Sequence, residues 1–140
     1  MGSSPINDDS LDNIIFDPPF LTYIRDGRKH GSIMGERFGG YWNYRELETH
    51  YRRTLMEIRR VLSINSILIM KCQDIIHNHK MHCTHHNVIN WAEQLNFELI
   101  DLFILVAKNR IINKTFKGTT RIQKHSRIFH SYFLVFKKKQ

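Results

Sequence analysis

The sequence predicts an α/β domain built on an open, largely parallel sheet, and three observations carry that reading. Short runs of Ile, Leu, Val and Phe alternate along the chain with amphipathic helical stripes. Those runs are apolar at consecutive positions, as in strands covered on both faces. A chain of 140 residues suits one domain, yet four such runs and two stripes are few for a complete doubly wound sheet. The pattern looks like half of one.

Residues 1–10 are rich in Ser, Asn and Asp and read as a loop. Leu11 to Phe16 forms the first strand, apolar on both faces at Ile14-Ile15-Phe16. It must stop at Asp17-Pro18-Pro19, because prolines lack the N–H that a central ladder needs. Residues 20–42 hold Gly27, Gly31, Gly35, Gly39 and Gly40 among many charges, which reads as a long loop. A helix follows, with Asn43 as N-cap and Glu46 three residues on. Leu47, Tyr51, Leu55, Ile58 and Leu62 form its core stripe, and Glu48, Arg52, Arg53, Arg59 and Arg60 fill the other face.

Ser66 to Cys72 reads as a second buried strand, and the His-rich stretch 73–83 as a loop. Thr84 would cap a second helix on Val88, Ile89, Trp91, Ala92 and Leu95, ending near Asn96. Leu99 to Lys108 is the third strand and 109–128 a second, basic loop. Ser131 to Phe136 is the last strand, closed by Lys137, Lys138 and Lys139. Strands alternating with helices imply right-handed crossovers, and the final pair, with no helix between, is expected to be antiparallel.

Composition narrows the function classes. With 21 Lys and Arg against 13 Asp and Glu, the net charge is +8, which attracts polyanions without choosing among them. An apolar share of 41% is too high for a disordered tail. The longest apolar run, Leu102 to Ala107, is six residues, far short of the roughly 18 that a spanning helix needs. Two cysteines, Cys72 and Cys83, make no disulfide framework, and residues 1–10 lack the shape of a signal peptide. The expected setting is the cytoplasm, without a membrane.

The most specific feature is Asp17-Pro18-Pro19-Phe20 at the carboxyl end of a strand, where α/β sheets bind ligands. The amino nitrogen of a nucleobase is a poor nucleophile, since its lone pair is delocalised into the ring. A carboxylate and a backbone carbonyl can accept its two N–H groups and turn the lone pair toward an electrophile. Rigid prolines fix the carbonyl, and an aromatic ring can stack on a base swung out of its helix. Asp17-Pro18-Pro19-Phe20 resembles the catalytic tetrapeptide of S-adenosylmethionine-dependent DNA amino-methyltransferases: Asp, Asn or Ser, then Pro-Pro, then Tyr, Phe or Trp. In order, the elements from residue 14 to 136 resemble the fourth strand that precedes that tetrapeptide in the family's Rossmann-like sheet and the helix, strand, helix and two antiparallel strands that follow it.

The resemblance implies a partial class I methyltransferase fold over 1–140, comprising strands four to seven and two helices, of phage or prophage type. It implies direct transfer of a methyl group to the six-amino group of adenine in DNA. Asp17 and the Pro18 carbonyl would orient the amine, with Pro19 rigidifying the turn and Phe20 stacking the base. The family binds S-adenosylmethionine through a Gly-rich turn after its first strand, and the 16 residues before Asp17 cannot hold one. The expectation is a carboxy-terminal half that binds the cofactor weakly or not at all alone. A truncated gene, a misplaced start or a complementary polypeptide carrying the amino-terminal half would each account for it.

Two further stretches invite nucleic acid. In loop 21–42, Arg25, Arg28, Lys29 and Arg37 stand with Phe38, Tyr41 and Trp42 directly after the tetrapeptide. In loop 109–128, Lys114, Lys117 and Arg121 surround Phe116, beside Lys108, Arg110, Lys124 and Arg127. By position the first could close over a flipped base, or Phe38 and Trp42 could equally anchor it on the core; the second could equally be a solvated basic loop. His77, His79, His82, Cys83, His85 and His86 match no paired zinc module, so no metal is expected. Two other functions fit the same residues: an RNA base amino-methyltransferase, and a non-catalytic basic nucleic-acid-binding remnant.

Overall fold

In the computed structural model, which describes residues 4–20, 22, 40–108, 126 and 128–140, strands and helices alternate in the expected order. Strand β1 (Leu11–Phe16) leads to helix α1 (Tyr44–Val61), and β2 (Leu62–Cys72) follows it without a gap. A small hairpin of β3 (Ile75–His77) and β4 (Lys80–His82) precedes helix α2 (Thr84–Glu93). Strands β5 (Phe97–Val106) and β6 (His130–Lys138) complete a four-stranded sheet in the order β1-β2-β6-β5.

Only β1 and β2 are a hydrogen-bonded parallel pair among the described strands; β6 runs antiparallel to both β2 and β5. The final pair is antiparallel, as expected, and β6 is the one strand of this sheet that runs against the other three. No crossover helix separates β5 from β6, so the chain returns in the opposite direction and inserts β6 beside β2. Strands β1, β2 and β5 still point the same way, which gathers their carboxyl ends on one side of the sheet.

Strand register sorts side chains to two faces. Ile14, Leu68, Phe136 and Leu99 form one row, and Phe16, Met70, Leu134 and Leu102 the next. Helices α1 and α2 cover these rows through Leu47, Tyr51, Leu55 and Ile58, and through Val88, Trp91 and Ala92. The opposite face carries Ile15, Ile69 and Val135, then Lys71, Phe133 and Phe103. Ile15 is 77% exposed among the described residues, so β1 is an edge strand covered on one face, not the strand buried on both that its sequence suggests.

Helix α1 begins as its sequence predicts. The Asn43 carboxamide oxygen accepts the Glu46 N–H at 3.0 Å, and the Glu46 carboxylate accepts the Trp42 N–H at 2.8 Å. The helix ends when Leu62 turns extended. The second strand therefore starts at Leu62 rather than Ser66, its polar start accommodated by a register shift near Asn65, which has φ 66°. Helix α2 starts at Thr84 with Cys83 as N-cap, and no side-chain cap bond forms there. Asp74 does that work from outside: its buried carboxylate accepts the His85 N–H at 3.1 Å. The helix stops at Glu93, earlier than expected, and Asn96 at φ 58° turns the chain into β5.

The lysines expected to close the last strand partly extend it. Lys138 is 3% exposed, and its ammonium donates to Asp9 at 2.6 Å and to the Leu62 carbonyl. No described helix is long and apolar enough to cross a membrane.

Candidate active site

Strand β1 delivers Asp17-Pro18-Pro19-Phe20 to the carboxyl side of the sheet. Two consecutive prolines leave that turn without N–H donors at Pro18 and Pro19, so only its carbonyls and the Asp17 side chain can be tied down. The structure ties two of them. Pairing of Phe16 with Met70 sets Asp17 beside Lys71, whose ammonium lies 3.1 Å from Asp17 Oδ2. The Tyr51 hydroxyl, from the buried stripe of α1, donates to the Pro19 carbonyl at 2.8 Å.

Two acceptors lie between these ties, Asp17 Oδ1 and the Pro18 carbonyl. Among the described residues no donor reaches the Pro18 carbonyl or Asp17 Oδ1. Asp17 is half-exposed, Pro18 buried, and Pro19 and Phe20 intermediate. A carboxylate oxygen and a carbonyl are both pure acceptors, the chemistry that a group with two N–H donors calls for.

Aromatic packing fixes the turn from below. Tyr51 meets the Phe16 ring edge-on at 6.3 Å and the Tyr41 ring at 6.2 Å. The Tyr41 hydroxyl lies 2.5 Å from His50 Nδ1, and the His50 ring stands edge-on to Phe16 at 6.5 Å. Burial raises the Tyr51 phenol far above its ordinary value of 10 and pushes Tyr41 up to about 12. Tyr51 therefore remains a phenol, able to donate, across the physiological range. The Lys71 ammonium also lies 5.9 Å from the centre of the Phe133 ring, which supports its stem on the open face.

The His-rich stretch divides into separate structural tasks. His77 Nδ1 is 3.1 Å from the Thr22 hydroxyl, and His82 stacks on Tyr44 at 3.9 Å. His85 pairs with Asp74 at 2.7 Å and stacks on Tyr132 at 4.0 Å, while His86 Nε2 lies 3.1 Å from Asn90 Nδ2. Among the described residues no group of three His, Cys, Asp or Glu is placed to hold a metal. Both cysteines are free thiols, and burial pushes Cys72 up to about 12.

Of the other residues singled out in the sequence, Arg25, Arg28, Lys29, Arg37 and Phe38 lie outside the described residues. So do Arg110, Lys114, Phe116, Lys117, Arg121, Lys124 and Arg127. Sequence reasoning missed Lys71 and gave Tyr51 only a packing role. Lys71 is the one charge in the run Ile67 to Cys72, and a tyrosine within a Leu/Ile stripe needs a partner for its hydroxyl. Those were the available signals.

The element order, the inserted antiparallel strand and the strand-end turn define a Rossmann-like class I methyltransferase fold, present here as four strands and two helices. Solved structures with that fold match the chain closely in shape and distantly in sequence. A candidate DNA modification methylase from Thermus thermophilus, complexed with S-adenosyl-L-methionine, superposes with a TM-score of 0.61 at 15% identity. That match covers 99% of this chain and 49% of the other. The cytosine-N4-specific PvuII DNA methyltransferase gives 0.63 at 9% identity, over 96% and 45% of the two chains. A SAM-dependent methyltransferase from Methanosarcina mazei gives 0.55 at 10% identity, over 98% and 63%. The chain thus spans about half the length of the first two structures. No protein-family model matches the sequence, and no curated protein matches it.

Proposed function

We propose that the chain carries the amine-orienting part of a DNA amino-methyltransferase acting on the exocyclic amino group of adenine. One observation carries the reading: the turn is tied at Asp17 Oδ2 and the Pro19 carbonyl, and no donor among the described residues reaches Asp17 Oδ1 or the Pro18 carbonyl. In this reading those two acceptors take the two N–H groups of the amine and turn its lone pair out of conjugation. Phe20 stacks on the extruded base. The basic residues Arg25, Arg28, Lys29, Arg37, Lys114, Lys117 and Arg121 contact the phosphates around it.

The likeness of fold to structures of DNA-modifying enzymes supports the substrate, and the S-adenosyl-L-methionine complex among them supports the cofactor. Bound S-adenosylmethionine would supply an electrophilic methyl group. The described residues do not build its site: none of them forms a Gly-rich turn between a strand and a helix. The chain's own described residues account for the acceptor side of the reaction.

The same two acceptors would serve the exocyclic amine of cytosine, on which the PvuII enzyme acts. Tritiated S-adenosylmethionine with duplex DNA, followed by nucleoside analysis, tests the proposal on the chain alone and together with a polypeptide carrying the other half of such a fold. Label in N6-methyladenine that Asp17→Ala abolishes is the expected result. Label in cytosine would transfer the reading to that base. Label that survives Asp17→Ala, or appears in RNA alone, would overturn it.

A further inference from the structure

A cleft of about 540 Å³ opens beside the turn, lined by Tyr41, Asn43, Arg45, Glu46, Thr49, His50 and Arg53. Two residues link it to the candidate site: the ring of His50, in the lining, stands edge-on to Phe16 at 6.5 Å, and the next residue on α1, Tyr51, donates to the Pro19 carbonyl. Arg45, Thr49 and Arg53 recur every fourth residue, so they share one face of α1.

The helix carries five arginines. Arg52 and Arg60 are paired, Arg59 has no pair among the described residues but lies outside the cleft, and Arg45 and Arg53 line it. Arg52 pairs with Glu48 at 3.5 Å, and Arg60 is held by Glu57, Asp8 and the carbonyl of Ile6. The guanidinium groups of Arg45 and Arg53 have neither an ion pair nor a hydrogen bond among the described residues. Among the described lining residues the one carboxylate, Glu46, is engaged at the helix start by the Trp42 N–H. Eight residues at about 1.5 Å each put the two arginines about 12 Å apart along the axis. That exceeds the spacing of adjacent phosphates along one strand of DNA, about 3.4 Å of helix axis, so each can meet a phosphate of its own.

We infer that this cleft is a phosphodiester-binding track, in which Arg45 and Arg53 hold the DNA strand leading to the turn. The inference rests on the proposed nucleic-acid substrate, and it assigns phosphate contacts to α1, which the sequence reading gave only to the two loops. Guanidinium forks suit this task because they bind phosphate oxygens in pairs.

The test is the salt dependence of binding to a short fluorescent DNA duplex by the full chain, from about 50 to about 200 mM salt. Replacing Arg45 and Arg53 together by Gln should reduce the slope of log K against log salt by about 1.8, the equivalent of two phosphate contacts. Replacing Arg52 and Arg59 removes the same charge from the same helix outside the cleft, and should change the slope by less than about half a contact. Equal effects from both pairs would overturn the inference in favour of a general field, and so would no effect from either. A chain without salt-dependent affinity for the duplex overturns it too. A slope lost as expected, without methyl transfer in the substrate assay, would leave the cleft standing and remove the transfer reading. Transfer with a slope indifferent to Arg45 and Arg53 would do the reverse.

Discussion

On the face of the sheet that carries α1 and α2, Leu68, Met70, Leu134 and Phe136 are fully buried. On the opposite face Ile15 and Phe103, in the same sheet and equally apolar, are 77% and 57% exposed among the described residues. The candidate turn stands at the seam between the two. Pro19 is anchored to the packed side through Tyr51, and Asp17 is held on the open side by Lys71. Packing therefore determines where the turn sits, and the Lys71 pair sets where the Asp17 carboxylate points.

The largest effect that would break this comparison is on stability. Leu68→Ala should cost about 2–5 kcal/mol in urea unfolding, because a fully enclosed side chain leaves a cavity. Ile15→Ala, one strand away on the open face, should cost less than about 0.5 kcal/mol. Comparable costs would show that the two faces are not distinct in the folded protein.

The tethers should separate in the same direction. Tyr51→Phe leaves the Pro19 carbonyl without its donor next to a closed core, which should cost about 1–3 kcal/mol. Lys71→Met removes an ion pair whose acid is half-exposed, worth at most about 1 kcal/mol. If Lys71→Met proved the more destabilising of the two, the anchoring role given to the packed side would be wrong.

How much of this was legible in the sequence follows from which forces are local. The end of β1 was legible because Pro18 and Pro19 act on their own backbone, and α1 because Asn43 and the Leu47-to-Ile58 stripe lie on one continuous segment. The turn's chemistry was legible as residue types. Its ties were not: Lys71 and Tyr51 stand 54 and 32 residues from their partners. The β3–β4 hairpin escaped notice because strands of three residues hold too little pattern to separate from a loop. In the sequence Lys138 is one of three lysines that close the last strand, and nothing there reveals its partner 129 residues away at Asp9. Asp74 took the capping role expected of Thr84 for the same reason: the cap comes from a neighbouring segment.

The smallest expected effect is on acid stability, and it probes the packed side alone. Burial, helped by Lys80 and His77, lowers the pKa of His82, which stacks on Tyr44. The folded state then binds fewer protons than the unfolded one below the ordinary value of 6.5. Its contribution to stability is complete above that value and declines as pH falls toward the lowered one. Thermal melts of His82→Phe, which keeps a ring for stacking, should show a shallower acid limb just below pH 6.5 than the parent. An unchanged limb would place the titration elsewhere.

The central claim is that Asp17 Oδ1 and the Pro18 carbonyl hold an amine. Its most direct test is NMR of a duplex bearing one adenine opposite an abasic site, isotopically labelled at its exocyclic nitrogen and titrated with the full chain. Both amine protons should move downfield as they bond to the carboxylate and the carbonyl, and Asp17→Ala should return one of them toward its free position. Amine resonances that stay unmoved while the duplex is saturated with protein would contradict the account.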